Sequence, residues 1–151
     1  MTLYFAYGSN LASAEMDLAC PGHRFLGPAR LDDRRLEFRR RSRRWGGGAA
    51  DLAPAPGESV WGALYELPSG GLEALDAKEG VGFAYRRIEV RVDRDGEPVT
   101  AVAYEVERKE PDEVPPTAGY LGALLGGAQE RGLPDAYLRV LEGRLRECAA
   151  S

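Results

Sequence analysis

Histidine and cysteine are scarce in this chain, and their scarcity removes several chemistries. The one histidine, His23, sits in a Pro21-Gly22-His23 turn, and the two cysteines, Cys20 and Cys148, stand far apart with no CxxC spacing. A zinc site needs several His or Cys ligands close together, which this chain does not supply. A Ser-His-Asp triad would have to use His23, and no GxSxG elbow accompanies it; His23 reads as a surface turn residue. The cysteines read as unpaired thiols in a reducing compartment rather than as a long-range disulfide. No P-loop and no GxGxxG occurs, and the Gly46-Gly47-Gly48 run lacks the Lys and Ser/Thr of a phosphate cradle. No apolar run approaches the length of a membrane span, and the apolar stretch after Met1 ends at Tyr7-Gly8, too early for a signal peptide. The expected compartment is the cytoplasm, with no membrane partner. The net charge is −4, without the basic excess of a dedicated nucleic-acid binder, so no nucleic-acid partner is expected. Catalysis, if any, runs on carboxylates, hydroxyls and backbone amides.

A chain of 151 residues fits one domain, 1–151. Leu3 to Tyr7 is a short aromatic run that reads as a strand buried on both faces. Gly8-Ser9-Asn10 breaks it, and Ser9 or Asn10 could cap a helix that ends before Pro21. Residues 24–31 and 34–41 read as two strands joined by Asp32-Asp33. Residues 42–58, rich in Gly and Pro, read as a long loop with a brief extended piece at Ala49–Leu52. Ser59–Leu67 is the next strand, Ser69–Lys78 a short helix capped by Ser69 and stopped by Gly80. Residues 85–92 and 98–107 form a hairpin around Asp95-Gly96. Helices follow over Thr117–Arg131 and from Pro134 onward, with inward stripes at Tyr120, Leu121, Leu124, Leu125 and Ala128, and at Tyr137, Leu138, Leu141 and Leu145. About six strands with inserted helices and no regular βαβ alternation make an α+β fold.

Three features could carry chemistry. Tyr7-Gly8-Ser9-Asn10 follows a buried strand, and consecutive amides at such a turn attract a carboxylate or a developing oxyanion; it also reads as a plain strand-to-helix turn. Glu79, in Leu75-Asp76-Ala77-Lys78-Glu79-Gly80-Val81, ends a helix, where the helix dipole disfavours a carboxylate. That field, with Val81 and Phe83 beside it, would raise its proton affinity toward what acid/base work requires; it also reads as a solvated glutamate at a frayed end. The cluster Arg30, Arg34, Arg35, Arg39, Arg40, Arg41, Arg43 and Arg44 is interleaved with Asp32, Asp33 and Glu37, and reads as a solvated strand face rather than a polyanion site. Tyr120 leads an apolar helix stripe, and its hydroxyl needs a partner if buried.

Taken in order, these residues resemble the γ-glutamylcyclotransferase family. The resemblance runs through Tyr4-Phe5-Ala6-Tyr7-Gly8-Ser9-Asn10-Leu11, Ala29-Arg30-Leu31, Trp45-Gly46-Gly47 with Ala49-Ala50, and Val60-Trp61-Gly62. It continues through Leu75 to Val81, Tyr85, Ile88-Glu89-Val90, Pro115-Pro116, Tyr120, Gly127-Ala128 and Gly132-Leu133-Pro134. It implies a small mixed β-barrel with helices packed outside, and conversion of a small γ-glutamyl amide to 5-oxoproline and a free amine. It further implies Glu79 as catalytic acid/base, substrate binding by Tyr4, Phe5, Ala6, Tyr7, Gly8, Ser9, Asn10 and Tyr120, and support from Leu11 and Tyr85. No cofactor and no metal is implied, and relatives include homodimers. The alternative is a non-catalytic module that keeps the pocket to bind a small molecule.

Overall fold

The computed structural model describes residues 2–150, with side chains described from Thr2 through Glu147. Five strands close a barrel: β1 (Thr2–Ala6), β2 (Arg24–Ser42), β3 (Gly47–Leu67), β4 (Tyr85–Arg94) and β5 (Glu97–Val106). Around the barrel they run in the order β1-β3-β2-β4-β5. All neighbours are antiparallel except β1 and β5, which meet in parallel at Tyr4 and Val102 and close the ring. Four helices complete the fold: α1 (Ser13–Ala19), α2 (Gly71–Glu79), α3 (Ala118–Glu130) and α4 (Asp135–Ala150).

The barrel has five strands where the sequence pattern counts about six, because two expected breaks are absorbed into long strands. Asp32-Asp33 is not a turn between strands but an irregularity within β2. The pairing Asp32 with Ser59 is followed by Arg34 with Pro54, so Ala55 to Glu58 bulge opposite Asp33. Asp33 takes a positive φ of 63°, a conformation Asp tolerates better than most residues, and its carboxylate accepts from the Gly57 amide at 3.0 Å. Pro54 and Pro56 are therefore strand residues at a bulge, a position where the missing N–H does no harm. The expected loop 42–58 shrinks to a tight turn, with the Gly46 amide bonded to the Ser42 carbonyl at 2.9 Å.

Both side-chain caps expected from sequence are absent. Ser9–Leu11 is one 3₁₀ turn, α1 starts behind Ala12, and neither carries a side-chain cap bond. Helix α2 starts at Gly71 behind Gly70 rather than at Ser69. Its end is as expected: Gly80 adopts a left-handed φ of 64° and its N–H closes on the Asp76 carbonyl. Thr117 caps α3, accepting from the Tyr120 amide.

The core fills the barrel and the space under the helices. Phe5, Leu11, Met16, Phe38, Leu64, Tyr65, Leu75, Leu121 and Leu124 are fully enclosed. Tyr120, Leu121, Leu124 and Ala128 of α3 and Leu141 of α4 are buried as the stripes predict, while Leu125, Tyr137, Leu138 and Leu145 pack against the core only partly buried. Cys20 is a free, buried thiol; the Cys148 side chain lies outside the described residues. His23 is not a surface residue: its side chain is 10% exposed and its ring stands edge-on to Tyr65 at 5.2 Å. Among the described residues no helix is long and apolar enough to cross a membrane.

Helix α3 approaches the turn after β1 so closely that only glycine fits at 127. A Cβ there would stand 2.6 Å from the Ala12 nitrogen and 2.8 Å from Leu11. Helix propensity alone favours Gly→Ala by about 1 kcal/mol, but overpacking costs about 1–3 kcal/mol. Gly127→Ala is therefore expected to destabilise the fold, read as a lower urea midpoint at unchanged slope.

Candidate active site

At one end of the barrel three segments converge. They are the turn after β1, the last residue of α2, and a pair of tyrosines bracketing Ala50 of β3. Tyr4, Tyr7, Gly8, Ser9, Asn10, Ala50, Glu79, Tyr85, Tyr104 and Tyr120 line a narrow pocket. The turn can lie against Tyr120 because position 8 has no side chain. A Cβ there would stand 3.3 Å from the Tyr120 hydroxyl and 3.4 Å from the Ala50 Cβ. The turn's own bonds begin with the Leu11 amide on the Gly8 carbonyl at 3.0 Å. The amides that open a helical turn have no partner inside it, so those of Gly8, Ser9 and Asn10 are left over at the pocket edge.

Asn10 turns inward instead of capping a helix. It is buried, and its Nδ2 donates to the Tyr4 hydroxyl at 2.9 Å and to Glu79 Oε1 at 3.1 Å. Its Oδ1 accepts from Lys78 Nζ. The amide orientation is fixed by these partners, since a flipped Asn would aim donors at an ammonium and an acceptor at a carboxylate. Lys78 also pairs with Glu15 at 3.2 Å. Glu79 is thus tied to the β1 turn through a single side chain.

Burial raises the Glu79 pKa above the ordinary carboxylate range, and the charges of Lys78 and Arg40 with the Asn10 bond pull against it without cancelling it. The expected direction holds, but the expected neighbours do not supply it. Val81 is 38% exposed and Phe83 74%, so the enclosure comes from the tyrosine wall.

Each tyrosine hydroxyl has a defined role. Tyr7 donates to the Tyr104 carbonyl. Tyr104 donates to Asp76 Oδ1 at 2.7 Å, and Asp76 is also held by Arg87. Tyr85 donates to the Ala50 carbonyl at 3.0 Å. Tyr65, behind the pocket, donates to the Asn10 carbonyl at 2.8 Å. Tyr120 accepts from the Ala50 amide at 2.9 Å, and Tyr4 accepts from Asn10. The hydroxyl protons of Tyr4 and Tyr120 have no acceptor among the described residues, so both are available to a ligand. Burial pushes the Tyr4 and Tyr120 pKa values up, which keeps them as donors.

Of the residues expected to bind substrate, Tyr4, Tyr7, Gly8, Ser9, Asn10 and Tyr120 line the pocket, as does the supporting Tyr85. Phe5, Ala6 and Leu11 do not. Strand alternation turns Phe5 to the opposite side of β1 from Tyr4, where its ring occupies the space above Gly62; Ala6 and Leu11 are sealed in the core. Two further residues, Ala50 and Tyr104, line the pocket without being expected there. Tyr104 carried a usable signal, a tyrosine in an apolar strand whose hydroxyl would need a partner. Ala50 contributes backbone atoms, which leave no trace in residue type. His23 lies outside the pocket. Among the described residues no group of three or more His, Cys, Asp or Glu side chains comes together.

Comparison with known proteins agrees with this geometry. The AIG2-like family model matches residues 59–141. Bovine gamma-glutamylcyclotransferase is 38% identical over 145 residues, spanning 92% of this chain and 76% of the relative. The human protein of that name is 37% identical over 146 residues, spanning 93% and 77%. The chain belongs to the γ-glutamylcyclotransferase family. A solved gamma-glutamyl cyclotransferase structure superposes with a TM-score of 0.88 at 35% identity, over 93% of this chain and 86% of that one. The five-stranded barrel with its outer helices is thus the γ-glutamylcyclotransferase fold.

Two stability predictions follow from the wall and the acid. Tyr120→Phe removes the acceptor of a buried amide, which costs about 1–3 kcal/mol, and is expected to lower the thermal midpoint. Glu79 has a raised pKa in the folded state, so the folded chain holds its proton more tightly than the unfolded chain. Its contribution is fullest below the unfolded value and is lost as pH rises through the folded one. Glu79→Gln is therefore expected to melt above the wild type at pH 8, with the gap closing on acidification toward pH 4. A gap that is constant with pH would contradict the assignment.

Proposed function

We propose that this chain is a γ-glutamylcyclotransferase that releases 5-oxoproline and an amine from a small γ-glutamyl amide, with Glu79 as the catalytic acid/base. The observation that carries this reading is a half-buried glutamate of raised pKa, held by Asn10 against the Tyr4–Asn10 turn, in a chain of this family.

The substrate supplies its own nucleophile, the α-amine, which closes a five-membered ring on the γ-carbonyl carbon that bears the leaving amine. Tethering makes ring closure entropically favourable, so no enzyme nucleophile is needed. The Glu79 carboxylate takes one proton from the α-ammonium group, and the freed nitrogen attacks the γ-carbonyl carbon. A nitrogen–carbon bond forms and a tetrahedral oxyanion develops. The attacking nitrogen then gives up a second proton. Glu79 hands the first proton to the leaving nitrogen before it takes the second; the bond to that nitrogen then breaks, Glu79 passes it the second proton, and it departs as an ammonium. The lactam keeps one N–H, no water is consumed, and Glu79 ends as it began. A pKa raised toward neutrality suits a group that must both take and give.

The amides of Gly8, Ser9 and Asn10 and the spare protons of Tyr4 and Tyr120 supply donors for two negative groups, the substrate's α-carboxylate and the oxyanion. Ser9 and Tyr7 line the same pocket. Asn10 holds the carboxylate of Glu79 in place, and Tyr85 anchors the Ala50 wall.

Incubation with γ-Glu-Ala and a panel of γ-glutamylamines is expected to yield 5-oxoproline from at least one member. Glu79→Gln keeps the shape and the Asn10 bond, so it is expected to fold and to lose about 10²–10⁴ in rate. In the wild type the acid limb of kcat/KM is expected above the ordinary glutamate range. Full activity in the Gln variant would reject the mechanism, and binding without turnover would instead support a non-catalytic module.

A further inference from the structure

The Glu79 pocket opens into a second, wider cavity. Ser9, Glu79, Tyr85 and Tyr120 border both. The inner pocket is narrow, about 40 Å³, and the outer one wider, about 450 Å³. If the γ-glutamyl group occupies the inner pocket, the amine beyond the scissile bond has room only in the outer one.

The outer cavity is strongly basic. Arg40, Arg41, Arg43, Arg44 and Lys78 line it, and Glu79 is the one carboxylate among its lining residues. Two of these cations are already satisfied, since Arg44 and Lys78 share Glu15 at 2.5 and 3.2 Å. Within the arginine cluster of residues 30–44, the residues away from the cavity have acidic partners. Arg30 pairs with Asp32, Arg34 with Glu105, and Arg35 and Arg39 with Glu37. Arg40, Arg41 and Arg43 have no carboxylate within ion-pair distance among the described residues. Arg40 is half-buried, its guanidinium 5.6 Å from the centre of the Tyr85 ring. It stands opposite Ala49, which also lines the cavity, after a register shift between Phe38 and Arg40. Bulges often re-aim a side chain beside a site. A half-buried guanidinium on an aromatic face, without an anion, is poised for carboxylate recognition.

We propose that the leaving amine carries two or more carboxylates, as an acidic amino acid or a short acidic peptide, and that Arg40, Arg41 and Arg43 receive them. This rests on the cyclotransferase reading of the Glu79 pocket and names the substrate class it takes. Three cations gathered over one carboxylate favour a dianionic leaving group over a singly charged one, and disfavour a γ-glutamylamine whose far end is neutral or cationic. Such a field also concentrates anionic substrates at the mouth and weakens with salt.

The test compares kcat/KM for γ-Glu-Glu, γ-Glu-Ala and γ-glutamylbutylamine, whose leaving groups carry two, one and no carboxylates. The expected order follows that count, with about tenfold (~1.4 kcal/mol) between successive members, and the γ-Glu-Glu advantage is expected to shrink as salt is added. Arg41 and Arg43 are exposed, so the double variant Arg41→Gln/Arg43→Gln is the pair to make first. It is expected to cut the ratio of γ-Glu-Glu to γ-glutamylbutylamine about tenfold, and Arg40→Gln to cut it further. Equal kcat/KM for the three substrates, or variants that lower all three alike, would overturn the assignment. Calorimetry of the same compounds on Glu79→Gln separates the two claims. Tighter binding of γ-Glu-Glu to the variant, with no lactam from any substrate in the wild type, upholds the cavity and refutes the chemistry. Lactam formation with no binding preference refutes the cavity alone, and neither turnover nor preference refutes both.

Discussion

The Asn10 amide is the tie on which the site depends. It bonds at once to Tyr4 in β1, to Glu79 at the end of α2 and to Lys78 beside it. These elements belong to distant parts of the chain, and nothing in the barrel ladder connects α2 to the turn after β1. Hydrogen bonds to charged groups contribute about 1.5–3 kcal/mol each, and Asn10 makes two such bonds. The backbone carbonyl of Asn10 is held from behind by Tyr65, whose hydroxyl also receives the Arg131 guanidinium at 3.1 Å. The turn is therefore gripped from both sides, and its unbonded amides are presented in a fixed direction.

Once Glu79 is held there, its acidity follows from what surrounds it. Lys78, Arg40 and Asn10 all favour the charged form, yet the net shift is upward. Removal from water therefore outweighs two nearby cations and a hydrogen bond. That balance is useful for acid/base work, since a solvated glutamate paired to Lys78 would be too acidic to return a proton. The tyrosine wall is what excludes the water. Its hydroxyls are committed to backbone or to Asp76, except for the two protons of Tyr4 and Tyr120, so the wall can be polar without competing with a substrate.

Much of this was legible in the sequence, and the exceptions have physical reasons. The helix end at Glu79 was readable because Gly80 is a local stop signal whose geometry does not depend on the rest of the fold. The pairing of β4 with β5 was readable from alternation and Asp95-Gly96. The loop expected at 42–58 is largely strand, because Gly and Pro signal turns on average, whereas here two long strands pair around a bulge and keep Pro54 and Pro56 in the sheet. Local pattern cannot register a partner strand. Asn10 was assigned to the right neighbourhood but to the wrong bond, since capping is a local option and Glu79 lies 69 positions away. Phe5 and Ala6 were drawn into the site by membership in a continuous motif. A motif of this kind mixes pocket residues with core residues, and strand alternation sorts one from the other.

The arginines of β2 make the same point about charge. As a run they read as a solvated strand face, but Arg34, Arg35 and Arg39 pair with the buried carboxylates of Glu105 and Glu37, and Arg30 alone pairs with an exposed one. Only Arg30–Asp32 is a pair exposed on both sides, of about 0–1 kcal/mol; Glu37 and Glu105 are buried, and their arginines neutralise them. What distinguishes Arg40 from Arg39 is not sequence context but the register shift between Phe38 and Arg40. Arg39 lies against Glu37 and the backbone of Glu110 and Pro111, while Arg40 lies over Tyr85 at the mouth of the pocket. The Tyr85 ring and the nearby Glu79 carboxylate stabilise that guanidinium in part, but no carboxylate among the described residues pairs with it directly. Its pairing is completed only when an anion arrives, and the direction from which one arrives is set by the substrate that Glu79 is placed to cleave.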